Sequence, residues 1–212
     1  MIIGICGFIG SGKDTAADYL VNFHEFKRES FASTLKDAVA NVFGWDREML
    51  EGRTKQSREW REQVDTWWAE RLRMPDLTPR WILQHWGTDV LRQHFHDDIW
   101  IASLENKLRT SADNIVISDC RFENEIKGLR AQGAKIVWVQ RGVIPHWYDI
   151  AAMANRKDTK AQDWLAKENI HPSEYSWAGT TFDAIIDNNK SIEHLYSQLK
   201  SLVQDPPVAK EV

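Results

Sequence analysis

The chain has 212 residues, 42% hydrophobic and 27% charged, which is enough apolar sequence for one domain-sized core and excludes a disordered tail or a fibrous repeat. Lys and Arg total 27 against 31 Asp and Glu, a net charge of −4, which disfavours tracking a nucleic-acid polymer, since that calls for a large positive excess. No stretch approaches about 18 apolar residues and the apolar start lacks a basic leader, so neither membrane association nor export is expected.

In chain order, Ile2–Cys6 reads as a short buried strand that runs into a glycine-rich turn, and Lys13–Phe23 carries Ala16, Ala17, Leu20 and Phe23 at helical spacing. Phe26–Phe31 reads as extended, followed by a helix with Leu35, Val39, Val42 and Phe43, closed by Gly44. Residues 45–77 are densely charged, with Trp60, Val64, Trp67, Trp68 and Leu72 on one expected helical face, and read as an insertion. Thr78 and Pro79 supply an N-cap and a first-turn proline for a helix through Trp81, Ile82, His85, Trp86, Val90, Leu91 and Phe95. A shorter helix, 98–108, follows.

Asn114–Ser118 is a continuous apolar strand ending at Asp119, a helix then runs to Gln132 and Gly133, and Lys135–Gln140 is the next strand. This alternation predicts right-handed β-α-β units, hence an α/β fold with a parallel sheet flanked by helices. Residues 142–180 read as a mobile polar insertion with one helix near 158–168, Phe182–Asp187 as the last strand, and Ser191 as the start of a final helix; the tail, 204–212, should be loose. The whole chain, 1–212, is therefore expected to be a single domain with two insertions. Cys6 and Cys120 fall in or beside buried strands without a spaced framework, so they read as small apolar fillers in a reducing, intracellular compartment.

Gly7-Phe8-Ile9-Gly10-Ser11-Gly12-Lys13 matches the loop whose amides and lysine cradle nucleotide phosphates at a helix N-terminus. Multiplying residue frequencies gives roughly 0.03 such matches by chance in this chain, and the match sits between an apolar strand and a helix, where the physics requires it. Gly10, Ser11, Gly12, Lys13, Asp14 and Thr15 are the expected ATP-binding residues. Asp14 stands where the usual motif has the Ser or Thr that ligates Mg²⁺. It either binds that ion, directly or through water, or is a helix-N-terminal acid favoured by the dipole.

Four blocks, GFIGSGKDT, LQHWGTDVLRQHFHDDIW (83–100), ISDCRFENE (117–125) and HPSE (171–174), occur in an order and at spacings that resemble the bacteriophage deoxynucleoside monophosphate kinase family. The resemblance spans nearly the whole chain. It implies a P-loop NTPase-type fold with a substrate-binding insertion over 45–77 and a lid over 142–180. It further implies transfer of the γ-phosphate of ATP to a deoxynucleoside 5′-monophosphate with Mg²⁺, in deoxynucleotide biosynthesis. Relatives suggest a homodimer, and a phage-encoded chain would act in the host cytoplasm.

Such transfer is mostly positioning and charge neutralisation. Lys13 is expected on the β- and γ-phosphates. Asp119, at a strand end, is expected near a magnesium-bound water or the acceptor. Arg121 falls either at the acceptor or transferring phosphate, as the resemblance implies, or in an ion pair with Asp119 or Glu123. Arg141 is a second catalytic cation or a lid salt bridge. Lys36, Arg58 and Arg92 are further candidates for the acceptor phosphate. Gly87, Thr88 and Asp89 interrupt an apolar helix and mark a close approach of substrate or a neighbouring helix. Trp86 and Trp100 are base-stacking or core residues, Glu174 belongs to the HPSE block, and Asn188 is a candidate contact to the donor adenine. His94 and His96, two apart on a helix, do not share a face and so do not form a metal pair.

Overall fold

A computed structural model of the chain describes residues 1–204; most of the tail expected over 204–212 lies outside the described residues. Five strands, β1 (Ile2–Cys6), β2 (Phe26–Glu29), β3 (Asn114–Ile117), β4 (Lys135–Gln140) and β5 (Ala184–Asp187), form one sheet in the order β2-β3-β1-β4-β5. Every neighbouring pair is parallel, as the β-α alternation requires. β1 is central. It pairs on one side through Gly4 with Ile117 and on the other through Cys6 with Trp138.

The chain divides into two compact units, residues 1–30 with 108–212, and residues 31–107. In the first, Ile3 and Ile5 of β1, Val116, Val137, Val139 and Ile186 meet Ala16, Ala17 and Leu20 of α1 (Lys13–Phe23) and Leu195 and Leu199 of α13 (Ile192–Gln204). The opposite face of β1 is just as closely covered. A Cβ on Gly4 would lie 2.9 Å from Leu129 Cδ1 of α9 (Glu123–Ala131) and 3.1 Å from Cys120 Sγ. β1 is thus buried on both faces, which is why its sequence is uninterruptedly apolar. Cys6 and Cys120 are both buried, and both are free thiols.

The expected single helix in 142–180 is three: α10 (Tyr148–Asn155), α11 (Thr159–Lys167) and α12 (Pro172–Tyr175). They build a small core of Ala151, Ala154, Ala161, Leu165 and Ala178. Alanines give a weak apolar signal in sequence but allow close helix approach, which is why this core was not anticipated.

The second unit also departs from expectation. Residues 45–77 do not present one helical face but fold as α3 (Arg47–Glu51), α4 (Lys55–Arg61) and α5 (Thr66–Leu72). Each has its own cap, from Asp46, Thr54 and Asp65, and Gly52 at φ 69° ends the first. Local capping overrides the long periodicity. Val64, Trp67 and Leu72 consequently lie exposed, while Leu50, Ala69 and Leu77 are buried. α2 (Ser33–Phe43) likewise buries Leu35, Val39 and Phe43 but leaves Val42 exposed. Thr78 accepts from Trp81 N at 3.0 Å and Pro79 opens α6 (Pro79–Gln84), as expected. The helix then widens into a π-turn, His85–Val90, before α7 (Leu91–His94) and α8 (Ile99–Thr110).

Among the described residues no helix is long and apolar enough to cross a membrane. Leu195 is fully buried beneath the sheet. Leu195→Ala should lower unfolding stability by about 3 kcal/mol, read as a lower denaturant midpoint with little change in slope.

Candidate active site

The turn after β1 is set by glycines that nothing else can replace. A Cβ on Gly7 would fall 2.5 Å from Val139 O, and one on Gly12, at φ 94°, would fall 2.3 Å from Asn188 Nδ2. Ser11 N closes the loop on Phe8 O at 3.1 Å, and the Phe8 ring lies edge-on against Trp177 and Trp147 at 4.9 and 5.5 Å. Lys13, the first residue of α1, folds its ammonium back over this turn and donates to Gly7 O and Phe8 O at 2.8 Å each. Burial, reinforced by the Arg121 cation, pulls its pKa below the usual lysine value against the opposing charges of Asp14 and Glu174. Lys13, Arg121, Asp14 and Glu174 therefore share one electrostatic neighbourhood. Gly10 and Thr15 are exposed, and the Ser11 side chain is buried.

Asp14 lies in the first turn of α1 and accepts from Ser118 Oγ at 3.1 Å. Its carboxylate also faces Arg28 Nη2 at 3.4 Å, and the same nitrogen donates to Asp14 O at 3.0 Å. Arg28, from β2, reaches Asp18 as well, at 3.3 Å. It was not singled out from sequence; the available signal was a basic side chain on the same strand face as buried Phe26.

Asp119 and Arg121 follow β3. The buried carboxylate of Glu125 accepts from Arg121 N at 2.8 Å and Phe122 N at 3.0 Å, capping α9 and fixing the backbone from which Arg121 projects into solvent. Arg141 is exposed just after β4. The next peptide is held by Gly142 N donating to Asn189 Oδ1 at 2.7 Å. Asn188, expected at an adenine, instead donates through Nδ2 to Ser11 O at 2.8 Å.

The remaining candidates belong to the second unit. Lys36 is committed to Glu51 at 2.7 Å, with both side chains largely buried, and Arg47 bridges Glu51 and Asp37. A free acceptor cation was expected there; the local carboxylates take it. Burial opposes ionisation of Glu51, but the hydrogen bonds from Lys36 and Arg47 outweigh it and hold the carboxyl below the ordinary glutamate range. Arg58 is exposed, with Nη1 donating to Arg53 O at 3.2 Å, and Arg92 is half-buried. Trp100, expected as a stacking or core residue, is 7% exposed and donates its indole N–H to Gly87 O at 2.9 Å, so it offers a base little face.

Trp86 packs on Phe43 at 5.3 Å. Gly87 is buried where a Cβ would meet Leu35 Cδ2 at 2.8 Å, which accounts for the glycine by packing. Thr88 and Asp89 are exposed on the π-turn, where Asp89 Oδ2 lies 2.9 Å from His85 Nδ1. Turns of this kind are enriched at functional sites, and Gly87 is its one signal in the sequence.

The chain as a whole resembles several known proteins. A family model described as deoxynucleotide monophosphate kinase matches residues 70–149. A protein of Acanthamoeba polyphaga mimivirus, provisionally named for the same kinase, is 30% identical over 220 residues that cover 97% of both chains. The deoxynucleoside-5′-monophosphate kinase of Escherichia phage T5 is 27% identical over 179 residues, 61% of this chain and 72% of that one. Among solved structures, TT1252 from Thermus thermophilus aligns over 96% of both chains at 19% identity and a TM-score of 0.43. Shikimate kinase from Aquifex aeolicus aligns over 96% of both chains at 12% and 0.40.

Glu51→Gln should cost about 2 kcal/mol at pH 7, because the largely buried Lys36 loses its counter-charge while Arg47 keeps only Asp37. Since the Glu51 pKa is depressed on folding, that stabilisation is complete above the ordinary value of 4.5 and is lost as pH falls through the lower folded value. A pH series of denaturant midpoints for both proteins should therefore converge only on the acid side.

Proposed function

Because this chain belongs to the deoxynucleotide monophosphate kinase family, we propose that it moves the γ-phosphate of ATP onto a deoxynucleoside 5′-monophosphate, giving ADP and the diphosphate. The observation that carries this reading is the glycine-set turn with the Lys13 ammonium folded over it at 2.8 Å from two carbonyls. These carbonyls are weak partners for a cation beside Arg121, and β- and γ-phosphate oxygens are stronger ones.

In the reaction, amides from Gly10 to Asp14 cradle the donor phosphates at the start of α1, with Thr15 beside the α-phosphate. Lys13 bridges the β- and γ-groups. Arg121, on a backbone pinned by Glu125, meets the charge that spreads over the equatorial oxygens during transfer, and Arg141 supplies a second planar cation. The attacking oxygen belongs to the acceptor phosphate, so no protein nucleophile is required.

Asp14 and Asp119 would hold Mg²⁺ through few ligands. Two carboxylates would suffice, because this ion usually keeps several waters and takes phosphate oxygens. Mg²⁺ supplies neutralisation of phosphate charge. Asp14 fits such a role because it is exposed at the helix start and held in place by Ser118 and Arg28.

Arg58, Arg92, Trp86, Thr88 and Asp89 are the residues of 31–107 proposed to hold the acceptor. The segment 142–180 is proposed as a lid that excludes water and suppresses ATP hydrolysis. We extend this to a homodimer acting in the cytoplasm, that of the host if the chain is phage-encoded; sedimentation tests the former.

A coupled assay of ADP release with dGMP, dTMP and dCMP tests the reaction, and no transfer to any of them would defeat it. Lys13→Met should lower kcat at least about 100-fold. Arg121→Ala should lower it by a similar factor while the melting temperature stays within a degree or so, since the side chain is exposed.

A further inference from the structure

The turn that follows β5 reaches two of the loops described above. Asn188 N donates to Gln140 O at 2.8 Å, extending the β4–β5 pairing by one bond. Its side-chain amide crosses to Ser11 O at 2.8 Å, a bond between residues 177 positions apart. Asn189 Oδ1 accepts from Gly142 N at 2.7 Å, and Asn189 N and Nδ2 both donate to Asp187 Oδ1. From α13, Gln198 accepts from Asp187 N at 2.9 Å and donates to Asp187 O at 2.8 Å. The turn is therefore fixed on the helix side before it touches the phosphate loop.

A trans peptide is planar, with its C=O and N–H pointing in opposite directions. Ser11 O and Gly12 N belong to one such peptide. Drawing the carbonyl toward Asn188 turns the Gly12 N–H the other way, into the concave side of the loop where an anion is received. Gly12 sits at φ 94° with Asn188 Nδ2 in the space of a Cβ, so no side chain lies between the asparagine and this peptide. Without the amide donor nothing described holds Ser11 O, and the Gly12 peptide is free to flip.

We propose that Asn188 is a positioning residue for the donor's phosphates, which it serves by orienting the Gly12 amide, and not a contact to the donor's base. The inference rests on the reading of the Gly7–Lys13 loop as a triphosphate site. It concerns phosphate affinity alone, so it is separable from the identity of the acceptor.

The test is calorimetric binding of ATP and of inorganic tripolyphosphate, which has no base, to the full chain and to two variants. Asn188→Ala removes the donor. Asn188→Asp keeps the size and shape but sets a carboxylate oxygen against Ser11 O, and carries the test should the alanine variant not fold. Both should bind ATP and tripolyphosphate about tenfold more weakly, the scale of one lost orienting hydrogen bond. The factor should be the same for the two ligands, and KM for the monophosphate should be unchanged. Weaker ATP binding with unaltered tripolyphosphate binding would make Asn188 a base contact and overturn the inference; so would affinities within twofold of wild type for both. If the unsubstituted chain binds neither ligand, the triphosphate-site reading falls and takes this inference with it.

Discussion

Pairing of β1 with a parallel strand on each side is the constraint on which the site depends. Because β3 and β4 run alongside β1 in the same direction, their carboxyl ends arrive at the same edge of the sheet as the phosphate loop. The register makes this concrete. Gly4 lies beside Ile117, so Asp119 continues level with Cys6, and Gln140 lies beside Asp187, so Arg141 and Asn188 leave the sheet together. Residues more than a hundred positions apart thereby surround one turn, as ligand sites in open parallel sheets do.

Electrostatics then decide what the turn can accept. Lys13 and Arg121 repel one another and burial disfavours the lysine cation, while Asp14 and Glu174 offset only part of this. A polyanion relieves both costs at once. The carbonyls of Gly7 and Phe8 hold the ammonium at the place where it is needed but give it no counter-charge. Arg28 acts in the opposite sense on Asp14, anchoring its backbone and carboxylate from β2, so that the acid at the helix start is oriented without being fully neutralised.

The central strands β1, β3 and β4 were legible because their buried positions form nearly continuous apolar runs, and the loop because its glycines and lysine leave few alternatives. Strand edges differ by a residue or two from the expected ones: β3 stops at Ile117, before Ser118, and β5 starts at Ala184, after Phe182 and Asp183. The second unit departs from its sequence periodicity for a different reason. Trp60, Val64, Trp67, Trp68 and Leu72 fit one helical period, yet caps at Thr54 and Asp65 start two helices in place of one. Lys36 could not be read as an internal ion-pair partner, because Glu51 lies fifteen residues away across two helices. Glu125 and Arg28 were passed over because their roles lie in what they hold, a property of distance and not of composition.

The eleven tryptophans illustrate the same division. In the second unit three indole N–H groups find specific acceptors: Trp45 donates to Asp65 Oδ2 at 2.7 Å, Trp68 to Phe43 O at 3.0 Å and Trp100 to Gly87 O at 2.9 Å. Each bond ties a short helix to a neighbour. Short helices cannot stabilise themselves, and a unit built largely of four- to seven-residue helices has few leucine-rich faces with which to compensate. Large rings that bury much area and also satisfy one backbone or carboxylate oxygen supply both needs. The tryptophan richness of this region thus follows from how its helices are cut, and the π-turn falls where one of those rings, Trp100, is fastened to the carbonyl of Gly87.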